Sequence, residues 1–203
     1  MRATRSLLFL SVLLGLFLQR AVADELPPDV LVKTVTLEVV DIIAKDREIK
    51  SSKAKLVSLV NAKVLPHFDF VGMTRLAVGP AWNKATPEQR NHLSEQFKTL
   101  LVRTYSSALA AYSDQKFEFR PLRMKPGESD VTVTVRVLQH GAQPVAIEYS
   151  MEKTSTGWKV YDMLVGGVSL VANYRTEFAN KIQRAGVDGL IRELQAKNRS
   201  QEI

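Results

Sequence analysis

The chain offers few residues able to do chemistry. His67, His92 and His140 are far apart, and none stands at the paired spacing that lets two ligands share a helix face or a turn. With no cysteine among 203 residues, nothing completes a zinc set. Gly167-Val168-Ser169-Leu170 lacks the second glycine of a nucleophile elbow, so Ser169 reads as a hydroxyl at a helix start and not as an attacking oxygen. Tyr161-Asp162 is the pair that acid/base chemistry could use, because an aspartate in an apolar pocket has a raised pKa. Neighbours on a strand face opposite ways, however. Asp162 is therefore expected to turn away from Tyr161 and hydrogen-bond a nearby turn. No catalytic set, metal site or cofactor is assigned.

The elements around that pair come next. Trp158 to Phe178 reads WKVYDMLVGGVSLVANYRTEF, a buried-strand pattern running through Gly166-Gly167 into a helical one, with sheet and helix meeting at Val168. Val171, Tyr174, Phe178, Ile182 and Ala185 continue that helix at three-and-four spacing, so it can fold back over the sheet and leave a wedge for a cavity. Earlier, Val32, Val35, Val39, Ile42 and Ile43 make one helical stripe, and Leu56, Val57, Val60 and Val64 a second that stops at Pro66. Asp69 is placed to cap a third, ended by Gly79-Pro80. Thr86-Pro87-Glu88-Gln89 is a capping box opening a long helix, whose stripe from Leu93 to Tyr112 makes it the spine.

Beyond Asp114 the period changes to two. Phe117 and Phe119, then Val131 to Val137, then Val145 to Met151, alternate with polar residues and are joined by short turns to the strand at Trp158. Short turns imply an antiparallel four-stranded meander. Gly186 and Asp188 punctuate a last short helix with Leu190, Ile191 and Leu194, and 197–203 reads as a frayed tail. The expectation is one α+β domain, about six helices packed on a highly curved four-stranded antiparallel sheet.

Residues 1–23 read as a secretory signal: Arg2 and Arg5, an apolar run from Leu7 to Leu18, and Ala21-Val22-Ala23 as the small-x-small cleavage site. Twelve apolar residues are too few to cross about 30 Å of hydrocarbon. Export leaves 24–203 as the working domain, and losing Arg2, Arg5 and Arg20 lowers the formal charge from +7 to +4. That excess is small, and no basic block is interleaved with aromatics, which excludes nucleic acid as a partner. Arg175, Lys181 and Arg184 are open to three readings: docking an acidic partner, lying near a lipid headgroup, or standing as solvated charges.

What remains is apolar bulk. Phe117, Phe119, Val133, Val135, Ile147, Tyr149, Tyr161 and Met163 on the sheet would oppose Leu76, Leu101, Tyr105 and Val168 on helices, a set that serves a solid core or a cavity equally well. Four blocks bear on the choice: VLPHFDFVGMTRLAVGPAW (Val64 to Trp82), ATPEQRNHLSEQFKTLLVRTYSSAL (Ala85 to Leu109), VYDMLVGGVSLVANYRTEF (Val160 to Phe178) and GVDGLI (Gly186 to Ile191). Together, in this order, they resemble the toluene-tolerance (MlaC, Ttg2-type) family. That resemblance implies an NTF2-like cone around an apolar pocket. It also implies a non-enzymatic periplasmic phospholipid carrier of the maintenance-of-lipid-asymmetry pathway, with phospholipid as cargo, acyl chains buried and headgroup exposed. Its partners would be an outer-membrane lipoprotein/porin complex and an inner-membrane ABC transporter complex with its substrate-binding subunit. The twelve residues just named become the lipid-binding set, in a pocket at or above the upper end of the usual ~300–1,000 Å³. On this reading Val168→Glu would abolish lipid binding. Two other readings stay open: an NTF2-like enzyme using Tyr161 and Asp162, and a non-lipid adaptor with a filled core.

Overall fold

The computed structural model describes residues 26–112 and 115–200, without the side chains at 47, 50, 107, 108 and 110. The signal segment 1–23 lies outside the described residues. Three helices open the fold: α1 (Pro28–Lys45), the five-residue α2 (Arg47–Ser51) and α3 (Lys53–Lys63). The breaks between them follow local capping. Asp46 accepts a hydrogen bond from Glu48 N at 2.9 Å, and Ser52 accepts one from Lys55 N at 3.3 Å, so each residue ends one helix and starts the next. After a 3-10 turn at Leu65–His67, Asp69 opens α4 (Phe70–Val78) by accepting from Gly72 N at 2.9 Å. A Cβ on residue 72 would lie 2.3 Å from the Asp69 carboxylate, so this cap requires glycine there.

The capping box forms as the sequence predicts: Gln89 N donates to Thr86 Oγ1 at 3.2 Å and Thr86 N to Gln89 Oε1 at 3.0 Å. It starts α5 (Pro87–Ala110), whose 24 residues run about 36 Å at ~1.5 Å each. The sheet is an antiparallel meander in the order β1 (Lys116–Phe119), β2 (Asp130–Leu138), β3 (Val145–Thr154), β4 (Gly157–Val165), β5 (Val168–Ser169). The fifth strand corrects the expected four. Gly166 (φ 58°) and Gly167 (φ 82°) are both left-handed, the geometry of a two-residue hairpin, so Val168 and Ser169 turn back to pair with Val165 and Leu164. The last helix, α6 (Leu170–Ser200), therefore starts two residues later than the sequence pattern implies.

Gly186, at φ 67° and ψ −178°, breaks α6 into two arms that fold against each other. Lys181 bridges to Glu193 at 2.5 Å and Lys197 pairs with Glu177, so Lys181 is committed within the hairpin. Asp188 accepts from Gln89 Nε2 at 2.7 Å instead of capping the second arm. Of the frayed tail expected at 197–203, residues 201–203 lie outside the described residues. Residues 197–200 are helical, and Asn198 is buried, donating to both oxygens of Gln96 on α5, 102 residues away.

Helices α4, α5 and α6 pack on one another and enclose a filled core. Phe97 and Phe178 meet edge to face at 5.2 Å, and Phe97, Leu93 and Ala77 are 0% exposed. On the other side of α5, α3 packs against α5 and α1, and α1 reaches β2 of the sheet. There the packing is incomplete.

Candidate lipid cavity

Between the concave face of the sheet and helices α1, α3 and α5 lies an apolar cavity of about 490 Å³. One wall is α1, which presents Val32, Val35, Val39, Val40 and Ile43. These side chains are short, branched at Cβ and stiff at χ1; Val32 reaches the strands, and the positions beyond it face the hollow. The carboxyl-terminal half of α5 supplies Leu101, Val102, Tyr105, Ser106 and Leu109. Its amino-terminal half is sealed in the filled core, so one helix belongs to both regions. The third wall is the sheet, with Ile147, Tyr149 and Met151 of β3 beside Val160 and Met163 of β4.

That last pair breaks the strand alternation. β4 carries a bulge: Met151 is opposite Val160 but Ser150 is opposite Asp162, leaving Tyr161 as the extra residue. Inward parity shifts by one across the bulge, which brings both Val160 and Met163 to the cavity. The same shift sends Tyr161 sideways, where its hydroxyl donates to Asp130 at 3.0 Å. Burial first, then its bond to Asp130, raises the Tyr161 phenol above its ordinary pKa.

A strap closes the far end. Asp69 N donates to Val160 O at 2.9 Å and Lys159 Nζ to Pro66 O at 2.6 Å, pinning 64–70 along the edge of β4 so that Leu65, His67, Phe68 and Phe70 join the lining. Desolvation, reinforced by Lys159, lowers the His67 pKa and keeps its ring neutral at pH 7. Among the described residues no carboxylate, lysine or arginine lines the cavity. Its rim includes the exposed Ala111, Gln139 and Val145. Such a surface can sequester hydrocarbon.

Of the twelve residues chosen from sequence, Leu101, Tyr105, Phe117, Ile147, Tyr149 and Met163 line the cavity. The other six do not. Val133 and Val135, 2% and 1% exposed, face the same side of the sheet but are covered by the first turns of α1, and Phe119 packs into that cluster. Leu76 is half-buried against the filled core. Tyr161 is displaced by the bulge, and Val168 sits beyond the hairpin, 60% exposed. A charge at Val168 would meet solvent, which removes the basis for the expected effect of Val168→Glu. Nor does the cavity occupy the wedge between sheet and carboxyl-terminal helix, because α6 contributes only Leu170 to the lining. Its volume also falls below the upper-end value expected for a diacyl ligand.

Tyr161 and Asp162 are not brought together for catalysis. The Asp162 carboxylate accepts from Ser169 Oγ at 2.6 Å, Met163 N at 2.8 Å and Val171 N at 3.2 Å, which ties β4 to the first turn of α6. Ser169 in turn accepts from Ala172 N at 2.9 Å, as a helix-start hydroxyl does. The residues that sequence reasoning missed include the α1 stripe, the strap, and Val102, Leu109, Met151 and Val160. The signal for the α1 stripe was present, a helix whose inward face is mostly valine and isoleucine.

The family model described as "MlaC protein" matches residues 33–196. The chain is 29% identical over 180 residues to toluene tolerance protein ttg2D of Pseudomonas putida, covering 88% of this chain and 83% of that protein. It is 26% identical over 188 residues to the intermembrane phospholipid transport system binding protein MlaC of Haemophilus influenzae, covering 91% and 88%. The fold is similar to that of a phospholipid-binding protein from Ralstonia solanacearum solved in complex with a phospholipid. The TM-score is 0.79 and the identity 37%, over 85% of this chain and 97% of that one.

Proposed function

Because the chain belongs to the MlaC family, we propose that it is a periplasmic phospholipid carrier, holding acyl chains in the cavity with the headgroup at the rim and shuttling between an outer-membrane lipoprotein/porin complex and an inner-membrane ABC transporter with its substrate-binding subunit. The observation that carries this reading is a greasy hollow in a chain with no helix, among the described residues, long and apolar enough to cross a membrane. Hiding one chain of about sixteen methylenes at ~0.8 kcal/mol each removes on the order of 13 kcal/mol of hydrophobic cost, which is what an aqueous crossing demands. The cargo is ligand and not substrate, consistent with the absence of charged lining residues. At 490 Å³ the cavity is narrow for two chains, so full loading requires α1 and the strap to move away from the sheet.

The test is native mass spectrometry of the protein purified from the periplasm. Wild type and Val168→Glu should both carry phospholipid, because residue 168 lies outside the hollow. Val35→Glu, which places a charge on the cavity wall at a half-buried helical position, should come out empty while its circular dichroism stays native. Lipid-free wild type would overturn the proposal.

A further inference from the structure

Among the described strand residues that line the cavity, Tyr149 alone carries a side-chain oxygen, a group that hydrocarbon cannot satisfy. Tyr149 stands in the middle of β3, opposite Val133 of β2 and Met163 of β4, with Ile147 and Met151 two residues away on the same face. Its ring packs into the cluster beneath α1 and its edge lines the cavity. Among the described residues its hydroxyl has no hydrogen-bond partner, and burial alone pushes the phenol up to about 12. The thioethers of Met151 and Met163 are at best weak acceptors. Phenylalanine would fill the same space without a donor; the Tyr149 hydroxyl is open to the cavity, where no protein group among the described residues accepts from it. A phenol at this position is therefore suited to a cargo that brings an oxygen with it.

Resting on the carrier reading above, we propose that Tyr149 donates its hydroxyl hydrogen to an acceptor oxygen within the acyl portion of the bound lipid, an ester carbonyl or a hydroxyl on the chain. The residue then acts as a depth gauge. Chains slide freely past valines and isoleucines, but the position at which the oxygen meets Tyr149 fixes how far the lipid enters, and an oxygen-free chain is held less tightly.

The experiment offers delipidated protein three probes in competition, read by native mass spectrometry: dipalmitoyl phosphatidylethanolamine, its dihexadecyl diether with the same headgroup, and a diester whose chains carry a 3-hydroxyl. Preference for the diester over the diether by about five- to tenfold identifies the ester carbonyl. Equal binding of those two, with the hydroxylated lipid favoured by a similar factor, identifies the chain hydroxyl. Either preference should collapse to within about twofold in Tyr149→Phe, which keeps the ring. Equal binding of all three probes to wild type, or a preference that survives in Tyr149→Phe, overturns the proposal. If the variant fails to fold, the wild-type ratios still decide. Binding of none of the probes to wild type would instead sink the carrier reading itself.

Discussion

The two sides of α5 are both apolar, yet one is solid and the other hollow. Toward α4 and α6 the contacts are made by Phe97, Phe178, Met73, Leu93, Leu190 and Leu194, all 0–1% exposed. On the hollow side the α1 wall is mostly valine and isoleucine, while the facing strands mix Val137, Val145, Ile147 and Val160 with Phe117, Tyr149, Met151 and Met163. Long unbranched and aromatic side chains can extend from a helix and interlock with those opposite, whereas residues branched at Cβ present a smooth, short surface. A helix face of that kind leaves the gap to the sheet unfilled. Residue shape on the α1 wall thus helps to separate a region that stabilises the fold from one that leaves room for a guest.

The comparison is broken most severely by opening a hole in the solid side. Phe97 makes edge contacts with Phe178 at 5.2 Å and Tyr174 at 5.1 Å and has no exposed surface. Phe97→Ala should cost about 3–5 kcal/mol in denaturant unfolding, among the largest effects of any single truncation here. A cost below about 1 kcal/mol would mean that the two sides are packed alike.

Adding atoms sharpens the contrast. Ala77→Leu on α4, at a position 0% exposed, should cost about 1–3 kcal/mol because the neighbouring side chains have nowhere to go. Val40→Leu on α1, at a half-buried position on the cavity wall and outside the packed clusters, extends toward open space and replaces a β-branched residue in a helix. It should leave stability within about 0.5 kcal/mol or raise it. The same variant should carry less phospholipid by native mass spectrometry. Equal costs for the two would show that the hollow is already full.

This difference explains what the sequence could reveal. Capping at Asp69 and Thr86–Gln89, the meander, and the break at Gly186 all depend on residues close in sequence, and each was legible. The α1 stripe was legible as a buried face, but whether that face meets a neighbour or a void depends on the sheet more than sixty residues away. Strand parity failed at one residue: a period-two pattern carries no mark of the bulge at Tyr161, so Tyr161 was assigned to the cavity while Val160 was omitted. The Gly166-Gly167 pair signals a turn, but not that the turn sends Val168 outward. Residues 197–200 looked like a polar end because the partner of Asn198 lies on α5.

The smallest expected effect lies on the seam between the two sides. Glu152 projects from β3 toward Asp69, the cap of α4. Partial burial first, then a hydrogen bond and repulsion from Asp69 with a smaller push from Asp130, holds its carboxyl above the usual range, while Arg75 pulls the other way. Because the folded pKa exceeds the unfolded one, the folded state binds the proton more tightly. This group's stabilisation is complete below the unfolded value near 4.5 and is lost as pH rises through the raised folded value. Glu152→Gln removes the carboxylate without changing its size. Its melting temperature should exceed that of wild type by about 1–2 °C at pH 7.5, and the gap should close as pH falls to about 4.5. A gap that stays constant with pH would show that Glu152 feels neither Asp69 nor Asp130. The junction of α4 with β3 would then be electrostatically neutral, and the two sides would be joined there by packing and the strap alone.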